Sequence, residues 1–331
     1  MTARLDPIRL LADRPLAITE AALTRLTETA AAYIAIGQQA AAPAPRPRAR
    51  RPGAGAVAVV PLTGVLTGRG SFLTWLFGGT ALDQWAIDFQ DAVDDPNVQA
   101  VVLLVDSPGG SVDLVPETAA RIRAARDVKP IVAVASTQAA SAAYWLAAQA
   151  DELIVSPSGE VGSIGVFLVH YDESQLNARV GIAPTYVYAG RYKVEVNPDT
   201  PLSADARGYL QQRVDESYGD FLGAVASGRG VTPAIVRTRF GEGRMFGAAE
   251  AVRRGMADRI GTIEDAVARL ATRPRLSRAA AMAVRDDVDL RLILEEYATR
   301  AMADDARLAR LADESEELAS MEAELAARRT A

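Results

Sequence analysis

The chain has 331 residues, 49% of them hydrophobic, enough for one large domain or two small ones with real cores. It has no cysteine and a single histidine, His170, which excludes disulfides, thiol nucleophiles, thiolate zinc sites and multi-histidine metal centres. A net charge of −6 argues against nucleic-acid binding by the protein as a whole, and no uninterrupted apolar run approaches the ~20 residues of a membrane-spanning helix.

The opening "MTARLDPIRLLADRP" mixes acids and prolines among its apolar residues, unlike a secretory signal, so a soluble cytoplasmic protein is expected. Residues 1–42 carry one predicted helix, "ITEAALTRLTETAAAYIAIG", capped by Thr19. Residues 43–55, "PAPRPRARRPGAG", read as an exposed, semi-rigid linker; its cationic run fits a solvated linker better than a nucleic-acid contact.

From residue 56 the texture changes. The runs "AVAVVPL", "VQAVVLLVDSP", "PIVAVAS" and "DELIVSP" are short and β-branched, and "APTYVYAG" reads as a further strand. Helical patterns lie between them, in "ALDQWAIDFQDAVDDP" and "VDLVPETAARIRAARD". Continuous apolar strands alternating with helices imply an α/β fold whose parallel sheet is covered on both faces. A second helical block, from "LSADARGYLQQRVDESYGDFLGAVASGRG" to "AAEAVRRGMADRIG", completes a domain over 56–272. Residues 273–331 turn to charged helix. Leu311, Leu318 and Leu325 recur every seven residues there, with irregular companions that fit an amphipathic helix better than a coiled coil.

Two stretches could carry chemistry. In "VVLLVDSPGGSV" a strand is broken by Ser107-Pro108-Gly109-Gly110, and the Gly110 amide could donate to an oxyanion. A plain strand-to-helix turn explains the same residues. In "ASTQAASAAYWLAAQAD", Ser141 falls at a strand-to-helix junction, as an N-cap or as a nucleophile. A nucleophilic hydroxyl needs a base. His170, Lys129 and Lys193 are the candidates, and the two lysines are the only ones in a chain otherwise served by arginine. Lysine can give up its proton when buried, whereas arginine keeps its own.

The motifs "VDSPGGSV", "ASAAYWLAAQADELIVSPSGEVGSIGV" and "GRYKVEVNPDTPLSADAR", in this order, resemble the signal-peptide-peptidase-A family of serine peptidases, with "RMFGAAEAVRRGMADRIG" extending the likeness to about residue 272. The resemblance implies a Clp-protease/crotonase-like fold of stacked ββα units. Carried over by position, it makes Ser141 the nucleophile and Lys193 the general base of a Ser-Lys dyad. It makes the amides of Gly110 and Ala142 the oxyanion hole and Ser163 a hydroxyl that orients the lysine. The family often has glycines after the nucleophile, where this chain has Ala142 and Ala143.

The leading segment "LLADRPLAITEAALTRLTETAA" and the acidic helical tail resemble phage and prophage members, the prohead or capsid-assembly branch. Protein substrates, in particular scaffold and head proteins, and a homo-oligomeric ring are then expected, in the host cytoplasm or inside the prohead. No cofactor, metal, membrane or specific nucleic acid is implied. Within the ring the lysine could come from a neighbouring protomer. The competing readings are a soluble bacterial peptidase that degrades signal or other peptides, and an inactive assembly scaffold retaining the fold. A crotonase-type acyl-CoA enzyme fits less well, since that chemistry has no use for a Ser141–Lys193 pair.

Overall fold

The computed structural model describes residues 15–35, 56–70 and 78–272. A short strand, β1 (Leu16–Ile18), precedes helix α1 (Glu20–Ala35). The expected cap is present, with the Ala22 amide donating to Thr19 Oγ1 at 3.3 Å. Strands β2 (Ala56–Thr63), β3 (Leu66–Thr67) and β4 (Thr80–Ala81) follow, then helix α2 (Leu82–Asp94). Next come β5 (Val98–Ser107), β6 (Gly109–Ser111), α3 (Val115–Ala125), β7 (Ile131–Ala140) and α4 (Ala142–Ala147). Two short strands, β8 (Glu152–Val155) and β9 (Glu160–Gly162), lead to α5 (Ser174–Val180) and the long α6 (Ala204–Arg229). The described part ends with α7 (Pro233–Arg239), β10 (Met245–Gly247), α8 (Ala248–Arg254), β11 (Arg259–Ile260) and α9 (Ile263–Ala271).

The expected parallel sheet is observed. β2, β5 and β7 pair in parallel, β8 extends the first half of β7, and β11 extends β8. The second half of β7 pairs instead with β9, which β10 closes antiparallel. A smaller sheet, in the order β1-β6-β3-β4, stands beside the C-terminal ends of the large one. β5 is buried over almost its whole length because both faces of the sheet are covered, so its sequence shows no alternation. One face packs Val101, Leu103 and Val105 with Phe89, Ile122 and the whole of α4. The other packs Val102, Leu104 and Val134 under Ile263, Ala266 and Leu270 of α9. Each such side chain contributes about 1.5–3 kcal/mol by leaving water.

Particular contacts fix the layers. Trp85 stacks on Phe89 and its indole donates to Pro61 O at 2.8 Å, tying α2 to β2. Trp145 of α4 stacks on Phe221 of α6 with ring centroids 4.6 Å apart. A Thr262/Asp265 capping box starts α9.

One expected strand is absent. Residues 183–190, "APTYVYAG", are irregular and exposed, and Val187 stands 97% in water. Thr, Tyr and Val favour strands by packing on neighbouring strands, and here no strand of the described chain lies alongside. The linker expected over 43–55 and the charged helix expected over 273–331 lie outside the described residues.

Candidate active site

The site grows from the two breaks read in the sequence. At the end of β5, Ser107 is buried; its hydroxyl donates to Gly64 O at 2.6 Å and accepts from the Gly109 amide at 3.1 Å. Pro108 then breaks the strand, and Gly109 takes φ +94°, a conformation that side chains rarely adopt. A Cβ on Gly109 would stand 2.2 Å from Ala17 O and 2.9 Å from Ser141 Cβ; one on Gly110 would stand 1.8 Å from Leu66 O. Neither position admits a side chain. The two glycines therefore let the β6 backbone pass directly beside Ser141.

Ser141 itself closes β7 and opens α4 with φ 55° and ψ −120°. Among the described residues only Leu114, Ser141, Ser163 and Glu242 are non-glycines with positive φ. Such backbone persists where its surroundings over-determine it, and it clusters at functional sites. Here the surroundings are plain. The Ser141 amide donates to Gly162 O at 2.8 Å, and Ser141 O accepts from the Trp145 amide at 2.9 Å. Its hydroxyl lies 3.5 Å from Gly165 O. A strained strand-to-helix turn is how α/β-hydrolases present a nucleophilic serine. Ala142, at the first position of α4, has an amide with no partner within the helix, as first-turn amides must.

Ser163, the second serine at positive φ, follows Gly162, whose carbonyl holds the Ser141 amide. Its own amide donates to Arg244 O at 2.9 Å. The structure thus brings Ser141, Ala142, Gly110 and Ser163 to one end of β7. Among the described residues no hydrogen bond joins Lys193 to this group.

Lys193 sits in a run of turns on the exposed segment between α5 and α6. It lines an open groove with Tyr186, Tyr192, Asp205, Tyr209 and Gln212, and no hydrogen bond joins it to Ser141. The other two candidate bases are no closer to that serine by hydrogen bond. Lys129 donates its ammonium to the carbonyls of Ala92 and Asp95, at the end of α2. His170 is half-buried, with Nε2 buried and unpartnered.

Behind Ser141, α4 is anchored polarly as well as by packing. The Tyr144 hydroxyl donates to Met256 O at 2.9 Å, and burial raises its pKa. Arg229 reaches Asp258 with two hydrogen bonds, 2.9 and 2.7 Å long, while the Leu153 amide donates to the same carboxylate at 2.7 Å. Burial pushes Asp258 up, but the Arg229 and Leu153 hydrogen bonds outweigh it and hold the carboxyl below its ordinary value.

A hydroxyl on a strained turn, flanked by a glycine backbone that no side chain obstructs and by a helix's first amide, suits acyl transfer through a tetrahedral intermediate. Comparison with known proteins agrees. Residues 123–277 match peptidase family S49, a span that includes Ser141, Ser163 and Lys193.

Just under half of the chain, therefore, is similar to peptidase family S49.

Proteins similar in sequence include capsid assembly protease C of Escherichia phage lambda, 32% identical over 211 residues, which cover 64% of this chain and 48% of that protein. The head-tail preconnector protein GP5 of Enterobacteria phage P21 is 32% identical over 217 residues, 65% of this chain and 43% of that protein. A putative signal peptide peptidase SppA of Enterococcus faecium is 28% identical over 195 residues, 59% and 56% of the two chains. The chain thus spans about half the length of the relatives it matches. The α/β architecture is consistent with the Clp-protease-like fold of the S49 family. Among the described residues no helix is long and apolar enough to cross a membrane.

The β1–β6 pairing escaped the sequence reading. Three-residue strands, "LAI" and "GGS", are too short for periodicity to register, and no motif marks them.

Proposed function

We propose that this protein is a serine endopeptidase built on residues 56–272, with Ser141 as nucleophile and Lys193 as general base. The neutral amine of Lys193 takes the hydroxyl proton as Ser141 Oγ bonds to the scissile carbonyl carbon. The oxyanion forms against the amides of Gly110 and Ala142. Collapse breaks the C–N bond, and the lysine's proton goes to the departing amine. Water then attacks the acyl-enzyme, giving its proton to the same lysine and freeing the Ser141 hydroxyl. Ser163 is assigned to orient the amine.

The observation that carries this reading is Ser141 at positive φ beside two glycines that no other residue could replace. The position of Lys193 then asks for a second chain. The amine is exposed, while a neutral lysine requires desolvation. A second copy, contributing its own Ser141 end to this groove, would both bury the amine and complete the dyad. The exposed Val180, Ile182, Tyr186, Val187, Tyr188 and Tyr192 around it are the surface such a copy would cover. We therefore favour a homo-oligomer with the lysine acting in trans.

The substrates assigned are phage scaffold and head proteins, because the relatives of lambda and P21 are named for capsid assembly and head-tail connection. The assigned place of action is the host cytoplasm or the interior of the prohead. Co-expression with candidate head proteins, with termini read by mass spectrometry, tests the substrate class. New termini that vanish with Ser141→Ala support it, and unchanged termini refute it. Labelling by a fluorophosphonate, absent in Ser141→Ala, separates a peptidase from an inactive scaffold of the same fold.

A further inference from the structure

Ser141, the residue proposed to attack substrate, is itself completely buried, and Gly110 is buried too. A described segment of the same chain lies against them. β1 pairs antiparallel with β6, placing Leu16, Ala17 and Ile18 opposite Ser111, Gly110 and Gly109. On its other edge Leu16 exchanges both backbone hydrogen bonds with Phe167, at 2.8 and 3.0 Å. The segment thus fills a slot between two backbone edges, as an extended peptide does when it adds to a sheet.

The register says which atoms meet. The Thr19 amide donates to Pro108 O at 3.0 Å, and the Val112 amide to Pro15 O at 3.3 Å. Hydrogen-bonded pairs alternate along an antiparallel ladder, so the pair between these two, Ala17 with Gly110, is also hydrogen-bonded. The Gly110 amide therefore faces the Ala17 carbonyl. Ala17 O and Ser141 Cβ flank the same glycine: a Cβ on Gly109 would meet them at 2.2 and 2.9 Å. A peptide carbonyl already stands where the proposed chemistry requires the substrate's carbonyl.

We infer that residues 15–19 are an autoinhibitory strand, a segment of the chain occupying its own peptide-binding cleft, which must leave before a substrate can pair with β6 and Phe167. The inference rests on the proposed role of Ser141. Side chains hold the strand as a substrate's would be held: Leu16 and Ile18 pack with Leu23 and Leu26 of α1 and with Val65, Phe167 and Val169. The occupant and its helix would withdraw together, since α1 starts at Glu20, directly after the strand.

The absence of cysteine makes a reversible lock clean. A hydrogen-bonded antiparallel pair places its Cα atoms about 5.5 Å apart, a separation a disulfide spans. The full-length chain with Leu16→Cys and Phe167→Cys is compared oxidised and reduced. In a Ser141→Ala background, a fluorescent peptide of residues 15–20, PLAITE, should bind at least about tenfold more tightly after reduction, because a locked cleft has almost no competent fraction. Equal binding in the two states overturns the inference. With Ser141 restored, peptide hydrolysis should rise by a similar factor on reduction. If reduction opens binding but neither state hydrolyses any peptide, the strand stands and the reading of Ser141 falls. Should the double variant misfold, Ala17→Pro loosens the same pairing by removing a ladder amide. It should raise peptide binding over wild type, and unchanged binding counts against the strand.

Discussion

The two halves of the proposed dyad sit in opposite surroundings. Ser141 is buried, strained and held by a hydrogen bond that it donates to β9 and one that it accepts from α4, with glycines that tolerate no side chain beside it. Lys193 lies on a segment, 166–203, that buries almost nothing and has a single short helix, α5, among many exposed apolar side chains. One half is over-determined within a single chain. The other exposes apolar side chains, the surface that the proposed second copy would cover. Nucleophile and oxyanion donors must be placed to within fractions of an ångström, which a close-packed interior does well. A base that works only when desolvated can be switched on by assembly.

The largest effect should come from the rigid half. Ser141→Ala should lower peptide hydrolysis about a thousandfold or more while leaving the circular dichroism spectrum intact, since nothing else supplies the nucleophile. Lys193→Arg comes next, with a loss of about 10²–10⁴-fold despite retained charge, because arginine cannot give up its proton. His170→Gln, by contrast, should leave the wild-type activity in place. Mixing Ser141→Ala chains with Lys193→Arg chains should restore activity if the base acts in trans. A mixture that stays dead returns the lysine to its own chain and breaks the contrast drawn above.

A smaller effect should follow from Gly110→Ala. Its Cβ would overlap Leu66 O, and a forced shift of β6 would misplace the proposed oxyanion donor, a loss of about 10²-fold in rate. By contrast, Val187→Ser on the exposed segment should change the stability of the isolated chain by less than about 0.5 kcal/mol. Urea unfolding of both variants, alongside peptide hydrolysis, measures how sharply tolerance differs between the halves.

Legibility in the sequence followed the same division. β2, β5, β7 and β8 were readable as continuous apolar runs because both faces of the sheet are covered. The Ser107-Pro108-Gly109-Gly110 break and the Ser141 junction were readable because backbone breaks leave residue-type signatures. "APTYVYAG" was misread because strand propensity is a preference for packing that the described chain does not supply. β1 was invisible, three residues whose partners lie about a hundred residues away. Lys193 could be singled out by scarcity and resemblance, but no feature of the sequence says that its amine stands apart from Ser141 within one chain.

The smallest effect tests whether the support behind α4 belongs to the rigid half. Arg229, its side chain 8% exposed, is paired with Asp258, 39% exposed, and the carboxylate also accepts from Leu153. Removing Asp258 leaves a buried guanidinium without that partner, and the solvent reaching the carboxylate moderates the cost. Asp258→Ala should therefore cost about 2–3 kcal/mol, below the full penalty of a broken buried pair. The carboxyl is held below its ordinary value in the folded chain, so its stabilisation is present above the unfolded pKa, ~3.9. It is lost as pH falls through the lower, folded value. Urea midpoints at pH 7 and pH 3 check the sign: the difference between wild type and Asp258→Asn should be largest at pH 7 and narrow towards pH 3. A gap as wide at pH 3 as at pH 7 would mean that the side chain supports α4 by shape rather than by charge.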